Sequence, residues 1–100
     1  MSIAPLAGKK VVIDPGHGGR FPGAVGPAGT KEKDVVLSVG LELASDLVEL
    51  GAEVKMTRSE DVEVAPGASL RDDLKARVDI ANNWPADLFI SIHSNAPENT

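Results

Sequence analysis

One hundred residues make one domain, spanning 1–100, that buries about two thirds of the surface its unfolded chain exposes. The 42% hydrophobic and 25% charged shares are those of an ordinary globular protein, and 3% aromatic residues leave the core to Leu, Ile, Val and Ala. A net charge of −5, with no basic cluster beyond Lys9-Lys10, excludes a nucleic-acid surface, and the absence of cysteine excludes disulfides and thiolate metal ligands.

Residues 1–10 carry no long apolar run behind a basic region, so they are not a signal peptide, and no later segment approaches a membrane span. An exported form would have had its signal removed. The first predicted element is a strand over residues 10–14, a Val- and Ile-rich run of the kind buried on both faces of a parallel sheet. Pro15 and Gly16 end it. A Gly- and Pro-rich loop follows to Thr30, a candidate N-cap, and a helix is predicted over residues 31–50, stopped by Gly51.

The apolar stripe of that helix runs through Val36, Val39, Leu43, Leu47 and Leu50, widened by Leu41, Ala44 and Val48. One step of four back from Val36 lies Glu32, a carboxylate at the head of a core-facing stripe, which is costly to bury unless paired or coordinated. A second strand is predicted over residues 53–57. After a polar connection, a second helix covers residues 70–83, with Leu70, Leu74, Arg77, Val78 and Ala81 inward and Arg71, Asp72, Asp73 and Lys75 in solvent. The third strand spans residues 87–93, with Leu88, Ile90 and Ile92 on one face and Phe89, Ser91 and His93 on the other.

The order β-α-β-α-β predicts an α/β fold with a mostly parallel sheet, flanking helices and right-handed crossovers. Three strands are few for such a sheet, so the fold is expected to continue past Thr100. If the protein ended there, a partly exposed sheet edge would lower its stability and favour association.

His17 and His93, the only histidines, each follow an apolar strand, and parallel neighbours would bring both to the carboxyl edge of one sheet, where open α/β sheets place ligands. With Glu32 they form a possible two-histidine, one-carboxylate site. Zinc accepts such a set, and three protein ligands leave a fourth position for water or substrate. Each residue also has a simpler reading: a strand-end histidine is often a surface or hydrogen-bonded residue, and a first-turn glutamate complements the helix dipole.

Six segments then match a known pattern: Ile13-Asp14-Pro15-Gly16-His17-Gly18-Gly19; Gly23-Ala24-Val25-Gly26-Pro27; Glu32-Lys33-Asp34; Met56-Thr57-Arg58; Arg77 with Ala81-Asn82; and Ala86 to Ala96 around Ser91-Ile92-His93-Ser94-Asn95. From Lys10 to Pro97 the chain resembles the zinc-dependent N-acetylmuramoyl-L-alanine amidases of the Amidase_3 type, bacterial cell-wall hydrolases and autolysins. The resemblance implies that His17, Glu32 and His93 hold Zn2+, which polarises the scissile carbonyl and activates a water. The bond cut would join N-acetylmuramic acid to L-alanine in peptidoglycan or a muramoyl-peptide, in the periplasm or the extracellular cell wall.

The resemblance also implies a further glutamate, on a later strand, as general base; no residue up to Thr100 matches it, so the catalytic base is unknown. Glu98 and Asp14 are the nearest carboxylates in sequence, and neither fits the pattern. Phe21 stands where the family often has an acidic residue. An inactive zinc-binding or wall-binding module is therefore the alternative, and a nucleotide-binding α/β domain a remote one. Against nucleotide binding, the loop spacing is neither G-x-G-x-x-G nor a Walker loop, and Glu32 would repel phosphate. Asp14 either shapes the turn or orients a ligand imidazole. Arg58 is expected to pair with Asp61 or Glu60, Arg77 with a buried carboxylate or loop carbonyl, and Asn95 to hold substrate or turn the chain. Oligomeric state is not legible.

Overall fold

A computed structural model describes residues 4–93. Its elements run β1 (Lys10–Pro15), α1 (Glu32–Glu49), β2 (Glu53–Met56), α2 (Leu70–Asn83) and β3 (Leu88–Ile92). The sheet has three strands in the order β2-β1-β3, with both pairings parallel. The predicted α/β class and parallel sheet are those observed. Asn95 and Glu98 lie outside the described residues.

β1 is central because its side chains are apolar on both faces: Val11, Val12 and Ile13 are all buried. Val11, Ile13 and Ala52 form the core cluster, against which Leu43, Ala44 and Leu47 of α1 and Ile90 and Ile92 of β3 pack. The register sets Pro15 beside Ile92, so the residues after β1 and β3 emerge together at the carboxyl edge.

α1 starts one residue later than the sequence implied. Its N-cap is Lys31, not Thr30, and no side chain caps it. Instead the preceding loop folds back, so that Ala24 and Pro22 carbonyls accept the N–H groups of Glu32 (2.8 Å) and Lys33 (3.1 Å). Backbone acceptors thereby replace the side-chain cap that a helix start otherwise needs.

Its inner stripe is also different: Glu32, Lys33, Val36 and Gly40 are buried, while Val39, Leu41, Val48 and Leu50 are exposed. Gly40 faces β1 in place of Val39, because the helix lies close over Pro15. α2 has the predicted bounds and part of the predicted face, since Arg77 and Ala81 turn inward as expected. Asp73, Arg77 and Ala81 are buried, whereas Leu70, Leu74 and Val78 are about half exposed. Asp73 is thus not solvated; its burial follows from pairing with Arg77 one turn on. Ser69 caps this helix by accepting from the Asp72 N–H.

Candidate metal centre

The three residues proposed as ligands come from three separate elements and meet at the carboxyl edge of the sheet. His17 follows β1, Glu32 opens α1 and His93 follows β3. One ligand atom from each lies within 4.8 Å of the other two. Glu32 Oε2 is 3.2 Å from His17 Nε2 and 3.6 Å from His93 Nδ1. Tetrahedral zinc with bonds of 2.0–2.1 Å sets its ligand atoms about 3.3 Å apart, close to the two separations from Glu32, while the three atoms as a set lie within 4.8 Å of one another.

Glu32 forms the buried floor of the group, while the His17 and His93 side chains are 26% and 47% exposed, leaving the histidine side open to solvent. The two imidazoles stand edge to face, with centroids 5.2 Å apart. Glu32 Oε1 accepts the Ala24 N–H at 3.1 Å. Its carboxylate is thereby held by the loop through one oxygen and presented to both imidazoles through the other.

Two glycines line the group for steric reasons. A Cβ at Gly16 would stand 2.4 Å from His93 Cε1 and 2.6 Å from its Nδ1. At Gly23 it would stand 2.6 Å from His17 Cδ2 and 2.7 Å from Glu32 Oε1, and the backbone there is left-handed at φ +70°. Both glycines clear space for the ring and carboxylate atoms proposed to hold the metal.

The loop after β1 is fixed by cations from behind. Arg58 donates to the carbonyls of Pro15 (3.0 Å) and Gly16 (2.7 Å), and Lys33 donates to that of Gly19 (3.1 Å). Arg77 donates to the carbonyls of Pro15 and His17, and to the carboxylates of Asp14 and Asp73. These bonds hold His17 at φ 65°, a conformation uncommon for residues other than glycine.

The expectation for Arg77 therefore stands on both counts, carboxylate and carbonyl. The expectation for Arg58 does not, because its bonds go to backbone carbonyls, including that of Glu60. Asp61 turns instead to Lys33 Nζ (2.8 Å) and the Gly19 N–H (2.8 Å). Burial first, and the neighbouring Arg77 charge second, lower the Arg58 pKa from its ordinary value. Phe21 packs beside the Arg20 guanidinium, 5.0 Å from its ring centroid, while its backbone pairs with Gly18.

Asp14 is buried and fully engaged. Its Oδ1 accepts from Thr57 Oγ1 (2.7 Å) and Arg77 (3.0 Å), and its Oδ2 accepts from Ser91 Oγ (2.9 Å). Ser91 in turn lies 3.1 Å from His93 Nε2. The sequence assigned no part in the site to Asp73, Thr57, Lys33 or Ser91. Two signals were available: Asp73 and Arg77 are four apart on a helix, and Ser91 is two before His93 on one strand face.

Residues 11–100 match the family described as N-acetylmuramoyl-L-alanine amidase, Amidase_3. The germination-specific N-acetylmuramoyl-L-alanine amidase of Bacillus subtilis is 48% identical over 98 residues, covering 92% of this chain and 41% of that protein. The amidase AmiA of Escherichia coli is 44% identical over 89 residues, covering 88% of this chain and 28% of that protein. Among solved structures, the amidase AmiC2 of Nostoc punctiforme superposes with a TM-score of 0.76 at 39% identity, covering 95% of this chain and 48% of that one. The CwlD amidase of Clostridioides difficile, solved in complex with the GerS lipoprotein, gives 0.77 at 32% identity, covering 91% and 50%. This chain therefore spans half or less of the length of these relatives.

Proposed function

The chain belongs to the N-acetylmuramoyl-L-alanine amidase family, Amidase_3, and on that premise we propose that it forms the zinc-holding part of a peptidoglycan amidase. His17, Glu32 and His93 are the ligands in this reading. The observation that carries it is the single Glu32 oxygen at 3.2 Å and 3.6 Å from one nitrogen of each histidine, on the open edge of a parallel sheet. A nitrogen–nitrogen–oxygen donor set without thiolates suits zinc in a catalytic rather than a structural role.

When bound, zinc supplies Lewis-acid polarisation of a carbonyl and activation of water. The chain's own residues would hold that ion: Glu32 and the two imidazoles supply its ligand atoms, and the cation-backed loop keeps His17 in place. The substrate proposed is the amide between N-acetylmuramic acid and L-alanine in peptidoglycan or a muramoyl-peptide. The site of action is the cell wall, periplasmic or extracellular. No described helix is long and apolar enough to cross a membrane.

One observation favours a second reading, in which the chain binds zinc and wall peptide without cutting. Proton transfer contributes about 10²- to 10⁴-fold to such reactions, and Asp14, a carboxylate close to the group, is committed to three hydrogen bonds. Zinc titration against a chromophoric chelator, combined with a muramoyl-peptide release assay, separates the two. One equivalent of zinc with peptide release supports the hydrolase, and one equivalent without release supports the binding module. His93→Ala is expected to abolish stoichiometric zinc binding; retention of wild-type affinity would overturn the ligand set.

A further inference from the structure

A serine hydroxyl has one proton to give, and at Ser91 that proton has a determined destination. Asp14 is 4% exposed and in contact with the buried Arg77 guanidinium at 3.0 Å, so it stands as a carboxylate and only accepts. The Ser91 hydroxyl, 2.9 Å from Asp14 Oδ2, is therefore the donor in that bond. Its remaining capacity is a lone pair, and the group that meets it is His93 Nε2 at 3.1 Å. Of the two groups facing the ring, Ser91 Oγ lies within hydrogen-bond distance of Nε2 at 3.1 Å and the Glu32 carboxylate lies beyond it from Nδ1 at 3.6 Å, so the geometry favours the ring proton on Nε2. A neutral imidazole protonated on Nε2 has its lone pair on Nδ1, and Nδ1 is the atom 3.6 Å from Glu32 Oε2.

We propose that Asp14 and Ser91 are positioning residues that select the Nε2–H tautomer of His93 and so present Nδ1 to the metal. The hydrogen-bond chain begins at Arg77, whose guanidinium also holds the His17 carbonyl. One buried cation thereby reaches both histidines, His17 through its backbone and His93 through Asp14 and Ser91. Such outer partners of ligand histidines typically alter metal affinity by about 10- to 100-fold when removed. Ser91 is exposed on its strand, which puts the expected effect at the low end of that range.

The proposal rests on the metal reading above, and the tautomer can be read without metal. Long-range ¹H–¹⁵N correlation spectra of the metal-free chain, recorded at about pH 8.5 where imidazole is neutral, are expected to show His93 protonated on Nε2. Ser91→Ala should lose that preference and weaken zinc binding roughly ten-fold, with an unchanged far-ultraviolet circular dichroism spectrum. Ser91→Thr, which keeps the hydroxyl, should retain both the tautomer and the affinity. A wild-type His93 protonated on Nδ1 would overturn the proposal, as would Ser91→Ala with wild-type tautomer and affinity. Loss of the tautomer preference in Ser91→Ala with undiminished zinc affinity would overturn the positioning role. A wild-type chain with the Nε2–H tautomer that takes up no zinc supports the hydrogen-bond chain and overturns the metal reading instead.

Discussion

Gly16 and His93 meet because β1 and β3 are in register at Pro15 and Ile92, and the next residue on each strand has nowhere else to go. The Gly16 N–H closes this edge by donating to the Ile92 carbonyl at 3.0 Å. With no left-handed backbone at Gly16, alanine there is unstrained except by the imidazole it would strike. Gly16→Ala is therefore expected to fold normally while displacing His93 outward, weakening zinc binding about ten-fold or more in a chelator competition, because one ligand leaves its position. Affinity equal to wild type would mean that His93 is not a ligand. Identity at this scale was partly legible: two histidines and a glutamate were picked out by residue type. Ser91 was not, because a serine on a strand has no chemistry until Asp14 and His93 lie on either side of it.

Between the elements, the decisive fact is which face of each helix turns inward. On α1 the buried line passes through Glu32, Val36 and Gly40, with Leu43 and Leu47 half-buried beyond. That line takes Glu32 to the sheet edge. Val36→Ala should cost about 2 kcal/mol in urea unfolding, from two lost methyl groups and the cavity left behind. Val39→Ala should cost under about 0.5 kcal/mol, since Val39 is 48% exposed. The reverse ranking would refute the observed rotation of the helix. Helix bounds were readable to within a residue because stops and side-chain caps such as Ser69 are local chemistry, whereas the start of α1 is set by loop carbonyls. The faces were readable only in part: on α2, Ala81 and Arg77 turn inward as expected, but the place that apolar periodicity gives to Leu70, Leu74 and Val78 is taken by Asp73 paired with Arg77. Their ion pair and the loop carbonyls satisfy a guanidinium that would otherwise be costly to bury.

Across the molecule, the loop that carries His17 is tied to the connection after β2 by charge. Asp61 accepts from Lys33 Nζ and the Gly19 N–H, and Glu63 accepts from Arg20. The Lys33 hydrogen bond first, and the Gly19 N–H second, hold the Asp61 carboxyl below its usual range. A carboxyl depressed in the folded state adds stability above its unfolded pKa of about 3.9, and that stability is lost as pH falls through the lower folded value. Asp61→Asn should accordingly unfold at lower urea than wild type at pH 7, with the gap closing as pH drops below about 4. A gap independent of pH would show that the carboxylate charge is not what holds the loop. The sequence by itself determined the α/β order, a first strand apolar enough for burial on both faces, and the family, because strand composition, helix punctuation and motif spacing are properties of neighbouring residues. Only the tertiary structure decided that one oxygen of Glu32 faces both imidazoles, that Arg58 and Arg77 hold the carbonyls behind His17, and that Ser91 joins Asp14 to His93. Those contacts link residues far apart in the chain, and the register of β1 against β3 and the rotation of each helix are set by packing and charge satisfaction together.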